Sequence, residues 1–166
     1  KPAEENFGYR IRRVDLEGSP EIPALAEYIK LMDRASCLEK DGVCVFTMEH
    51  AMAALYGSGI DNCLIELNGE EFPILDGSSK YYVEEIGKVG IEEQEAERRY
   101  FTVKEQMEYC SEDGQTKITL LPDTDYNVNL VVAYDSPYLQ MQYATYSEKT
   151  TDFAKEIAPC RTFVFL

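Results

Sequence analysis

Long apolar runs are missing from this sequence: none approaches the roughly 20 residues that a helix needs to cross a bilayer. The opening residues, KPAEENFGYRIRR, also lack the apolar core of a signal peptide, so no membrane span is expected. Basic side chains are scarce, 16 against 31 acidic ones, and the formal net charge of −15 disfavours binding to a phosphate backbone. No nucleic-acid partner is expected. Cys37, Cys44, Cys63, Cys110 and Cys160 are odd in number, widely spaced and without a C-x-x-C pair. They suit reduced thiols in a cytoplasm, each packing as a small hydrophobic side chain. A glycine-rich strand-to-helix loop is absent, which removes a phosphate-binding fold. Short-period repeats and low-complexity tracts are absent too. Histidine occurs once, at position 50, so the two-histidine H-E-x-x-H arrangement of zincin proteases cannot form.

What remains is a chain of 166 residues, 45% apolar, long enough to bury a core as one ordinary domain or two small ones. Alternation over 9–14 predicts a half-buried strand with Arg10, Arg12 and Arg13 on its wet face. Residues 22–32 carry a helical pattern interrupted by Pro23. Residues 35–38 and 43–46 flank Asp41-Gly42, a strong hairpin signal. A buried strand at 63–67, a short strand at 72–75 and a helix from Ser79 to a Gly90 cap follow. The acidic, aperiodic stretch 91–97 reads as a linker. Beyond it strands dominate: 100–103, a hairpin of 106–110 with 117–121 around Asp113-Gly114, 126–134, 141–145, and a last strand at 161–166. Thr151 is placed to cap a short helix at 152–157.

The only histidine lies in FTMEHAMAALYGSG. Thr47 is a good N-cap residue, Met48, Met52 and Leu55 share one helical face, and Gly57 and Gly59 would end the helix. Glu49 and His50 fall in its first turn about 100° apart, so they can flank one small cavity. A base and a metal ligand could share it. The same pair also suits a histidine satisfied by a backbone carbonyl beside a glutamate that favours the helix N-terminus.

Thr47-Met48-Glu49-His50, then Ala53-Ala54-Leu55, Gly57-Ser58-Gly59-Ile60-Asp61-Asn62 and Phe72-Pro73-Ile74-Leu75-Asp76-Gly77-Ser78, resemble the signature run of the UDP-3-O-acyl-N-acetylglucosamine deacetylases, zinc enzymes of lipid A synthesis. Cys160-Arg161-Thr162-Phe163 is similar to a second marker of that family, where alanine is more usual than cysteine. The resemblance implies that His50 is a zinc ligand, that Glu49 is the general base toward the attacking water, and that the Thr162 hydroxyl steadies the oxyanion. Asp76 is a candidate substrate contact, with a turn and helix cap as the local alternative. Phe163 could stack on substrate or fill a core position on its strand. The tyrosines after position 126 could line an acyl or sugar surface or simply pack a sheet.

The resemblance further implies an α+β fold of two similar sheet-plus-helices domains, here 1–97 and part of a second over 98–166. Residues 22–32 would then be extended rather than helical. The remaining zinc ligands and an acid/base histidine are expected beyond Leu166. The expected function is a segment of a cytoplasmic hydrolase that removes acetate from a UDP-linked acylated amino sugar, inactive alone. The alternative is a non-catalytic α+β binding or interaction module in which the Glu-His pair is structural.

Overall fold

In the computed structural model the described residues are 1–32 and 35–162, and they form an α+β fold that divides into two compact units. One unit comprises Lys1–Glu97 with Phe153–Leu166, the other Arg98–Asp152.

The first unit contains two three-stranded sheets. Strand β1 (Tyr9–Arg13) lies between β2 (Glu21–Pro23), antiparallel to it, and β6 (Cys63–Leu67), parallel to it, with Ile11 opposite both Ile22 and Ile65. The second sheet is the antiparallel series β3 (Ile29–Met32), β4 (Ala35–Lys40) and β5 (Val43–Phe46). Asp41 and Gly42, with φ of +52° and +80°, form the two-residue turn between β4 and β5. Positive φ at both turn positions matches the right-handed twist of the strands, which is why Asp-Gly is favoured there. Helices α1 (Glu49–Gly57) and α2 (Lys80–Val89) pack in the same unit. Ile11, Ile22, Leu38, Val45, Ala51 and Phe72 are all buried in one cluster, which ties both sheets to α1.

Several expectations change here. Residues 22–32 are extended apart from one tight turn at Ala26–Tyr28, as the family resemblance implies and against the helical pattern. Pro23 has no N–H and restricts the residue before it, so the helical pattern cannot be realised and Pro23 ends the edge strand β2 instead. Arg13 is not on a wet face: it is buried, its guanidinium paired with Asp15 at 2.6 Å and donating to the Cys44 carbonyl at 2.8 Å. A buried charge needs such partners, and Asp15 two residues on supplies one. Residues 72–75 form no strand; Glu71 alone bridges Phe46. The 91–97 stretch has no regular structure but is tied down, since Gln94 donates to the Ala3 carbonyl and the N–H groups of Glu95 and Ala96 donate to Glu5. Cys37 and Cys63 are buried as small core residues, whereas Cys110 and Cys160 are exposed.

The second unit consists of two antiparallel pairs, β7 (Met107–Cys110) with β8 (Lys117–Leu120) and β9 (Asn127–Val132) with β10 (Gln142–Ser147). Residues 100–103 are not a strand, and no residue of 98–152 is buried. Thr151 turns its hydroxyl to the Ser147 N–H at 3.0 Å instead of capping a helix. In the first unit, Phe153–Ile157 forms a single wide turn closed by the Ala158 N–H on the Phe153 carbonyl at 2.8 Å. Arg161 and Thr162 are not in a strand, and Phe163 with the rest of the expected final strand lies outside the described residues.

Candidate active site

Residue Thr47 introduces the site in an unfavourable conformation. Its φ is +56°, a region that a β-branched side chain rarely enters. Its N–H donates to the Ser36 carbonyl at 3.2 Å and its hydroxyl to Glu71 at 2.7 Å. On either side, the Phe46 N–H donates to the Glu70 carbonyl and the Phe72 N–H to the Phe46 carbonyl. Such strain persists only where surrounding contacts over-determine it. With its hydroxyl engaged by Glu71, Thr47 is not the N-cap of α1; Met48 occupies that position with no side-chain cap. The helix buries Ala51 and Ala54 along with the side chain of Met48, while Met52 and Leu55 are half-buried.

Glu49 is exposed at the start of α1, where its negative charge complements the helix N-terminus. One of its oxygens, Oε2, accepts a hydrogen bond from the Ser36 hydroxyl on β4. His50 follows, half-buried, and its Nε2 is buried without a hydrogen-bond partner. A buried nitrogen left in that state carries a desolvation cost, and such an atom calls for a ligand or a solvent molecule to explain it.

The 76–79 turn joins this helix to Thr162. The Ser79 hydroxyl donates to the His50 carbonyl at 2.9 Å, and the Thr162 N–H donates to the Gly77 carbonyl at 2.7 Å. Gly77 has φ of +78° and is buried; a Cβ built on it would lie 3.1 Å from Cγ2 of Thr162. Asp76 shapes the turn from within, its Oδ1 accepting the Ser78 hydroxyl at 2.7 Å and the Ser78 N–H at 3.2 Å. The Ser78 hydroxyl holds the Asp76 carboxyl below its ordinary range, helped by that N–H and by the charge of Arg161, against a smaller opposing effect of burial. Asp76 thus sits on the link between His50 and Thr162 in this structure. Ser36 and Ser79 had no signal in the local sequence, because their partners lie 13 and 29 residues away.

Zinc is the group that the resemblance implies. His50 Nε2, buried and unpaired, is the kind of donor that zinc takes. It is a single donor: among the described residues no three His, Cys, Asp or Glu side chains gather into a group that could hold a metal. No helix of the described residues is long and apolar enough to cross a membrane.

Comparison with known proteins covers the chain from end to end. The family model described as LpxC, UDP-3-O-acyl N-acetylglycosamine deacetylase, matches residues 1–166. A bifunctional enzyme LpxC/FabZ of Bacteroides thetaiotaomicron is 49% identical over 99% of this chain and 36% of its own length. The UDP-3-O-acyl-N-acetylglucosamine deacetylase of Marinobacter nauticus is 40% identical over 100% of this chain and 55% of its own. That of Myxococcus xanthus is 38% identical, again over the whole chain and 52% of its own length. The chain therefore spans about half the length of the deacetylases it matches, and about a third of the bifunctional enzyme.

Proposed function

This chain belongs to the family of UDP-3-O-acyl N-acetylglycosamine deacetylases, and we propose that it forms part of a zinc-dependent hydrolase releasing acetate from a UDP-linked, acylated N-acetylglucosamine on the route to lipid A. The protein acts in the cytoplasm, and further zinc ligands come from sequence outside these residues. The observation that carries the proposal is the buried, unpaired Nε2 of His50 beside Glu49 on the first turn of α1. A structural Glu-His pair would give that nitrogen a protein partner, and none is present among the described residues.

Zinc, when bound, acidifies a water molecule and polarises the amide carbonyl. Around it, His50 offers Nε2 as one ligand, kept in place by the Ser79 hydroxyl on its own carbonyl. Glu49 takes the proton of the attacking water as general base, the acid/base histidine expected outside these residues protonates the departing sugar nitrogen, and proton exchange with solvent resets both groups. The Thr162 hydroxyl donates to the oxyanion as the tetrahedral centre forms. Asp76 shapes the turn whose Gly77 carbonyl holds the Thr162 N–H and serves as a substrate contact, and Phe163 contributes a stacking face to the sugar or acyl chain.

The test is acetate release from the UDP-linked substrate by the complete protein carrying this chain, with and without a chelator. Acetate that appears with zinc and disappears on chelation supports the proposal. Metal-independent release, or none in the zinc-loaded protein, refutes it.

A further inference from the structure

We infer that Ser36 is a positioning residue for the Glu49 carboxylate, an inference that rests on Glu49 acting as the general base. Ser36 touches the entry to α1 at two points. Its carbonyl accepts the N–H of the strained Thr47 at 3.2 Å, and its hydroxyl donates to Glu49 Oε2. The first contact fixes the backbone that leads into the helix, and the second fixes the side chain.

The second contact is needed because Glu49 is exposed and lies on the first helical turn. A free glutamate there samples many rotamers, and holding it in one costs side-chain entropy. A hydroxyl donating to an ionised carboxylate is a charge-assisted hydrogen bond, stronger than a neutral one, and offsets that cost. With Oε2 engaged by Ser36, the carboxylate presents Oε1 for proton transfer in a fixed direction. Pre-set geometry of this kind speeds the chemical step and leaves ground-state binding almost unchanged. Ser36 itself reaches neither water nor substrate in this scheme; it acts only through Glu49. Because β4 is pinned on both sides, by β3 at Leu31 opposite Ser36 and by β5 at Phe46 opposite Cys37, the hydroxyl is delivered from a rigid element.

The experiment compares Ser36→Ala, Ser36→Thr, Glu49→Gln and the double variant in the complete protein, reading kcat and KM for deacetylation. Ser36→Ala should lower kcat about tenfold, with KM changed less than about twofold, the size expected for one hydrogen bond to a charged group. Ser36→Thr, which keeps the hydroxyl, should recover kcat to within about threefold on the same reasoning. Adding Ser36→Ala to Glu49→Gln should cost nothing further, since the serine acts through the glutamate. Unchanged kcat in Ser36→Ala, no recovery in Ser36→Thr, or a further loss in the double variant would overturn the assignment. Should Glu49→Gln retain full turnover, the fault lies with Glu49 as base; should Glu49→Gln abolish turnover while Ser36→Ala does not, only the role of Ser36 fails.

Discussion

The backbone N–H of Thr162 donates to the carbonyl of Gly77 over 2.7 Å, although 85 positions separate the two in sequence. Gly77 has room for that approach because it has no side chain. A methyl group there would stand 3.1 Å from the threonine Cγ2, and φ of +78° is unfavourable for any L residue. Gly77→Ala is therefore expected to cost roughly 1–2 kcal/mol from backbone conformation alone. It should also displace Thr162 and lower kcat more than it raises KM. Thermal unfolding and steady-state kinetics on the same preparation check both.

A closer approach occurs at Gly57, the last residue of α1. A Cβ built there would fall 2.2 Å from the Phe153 ring. Gly57→Ala must expel that ring, at a cost of about 1–3 kcal/mol for overpacking. Replacing Phe153 by Leu in the same protein should return most of the loss, which a double-mutant cycle of unfolding free energies measures.

Asp76 makes the turn sensitive to acid. Its carboxyl titrates below the ordinary range because the ionised form accepts the Ser78 hydroxyl and N–H. A group with a lowered folded value binds more protons when unfolded, so its contribution is present above the ordinary carboxylate range and is lost as pH falls through the folded value. Amide exchange at Ser78 should be slow at neutral pH and accelerate in acid beyond the intrinsic trend. Asp76→Asn should flatten that acid dependence.

Thiol labelling should divide the cysteines by burial. Cys110 and Cys160 are exposed, whereas Cys37 is fully buried and burial pushes the Cys63 thiol up. Since the thiolate is the reactive form, the first two should react quickly in the native protein, and Cys37 and Cys63 only on unfolding. Mass spectrometry after timed alkylation reads the order directly.

Local signals in the sequence carried over into structure where the determinant was itself local. The Asp41-Gly42 hairpin, the strand at 63–67, the helix ending at Gly90 and the alternating strands of 107–147 all follow from neighbours within a few residues. Distant partners account for the rest. Thr47 resembled a cap until Glu71, 24 residues on, took its hydroxyl. Arg13 reads as solvent-facing in the local sequence because Cys44, whose carbonyl it binds, lies on another sheet. At the site, Glu49 and His50 could be located from helical spacing, but their chemistry came from family resemblance, and the supporting hydroxyls of Ser36 and Ser79 were invisible without the fold.

The most direct test of the account is the turnover of Glu49→Gln in the complete, zinc-loaded protein. A general base supplies roughly 10²–10⁴-fold, so kcat for acetate release should fall within about that range while zinc content and KM stay close to wild type. Wild-type turnover by Glu49→Gln would contradict the account, because the carboxylate at the head of α1 would then have no part in the chemistry.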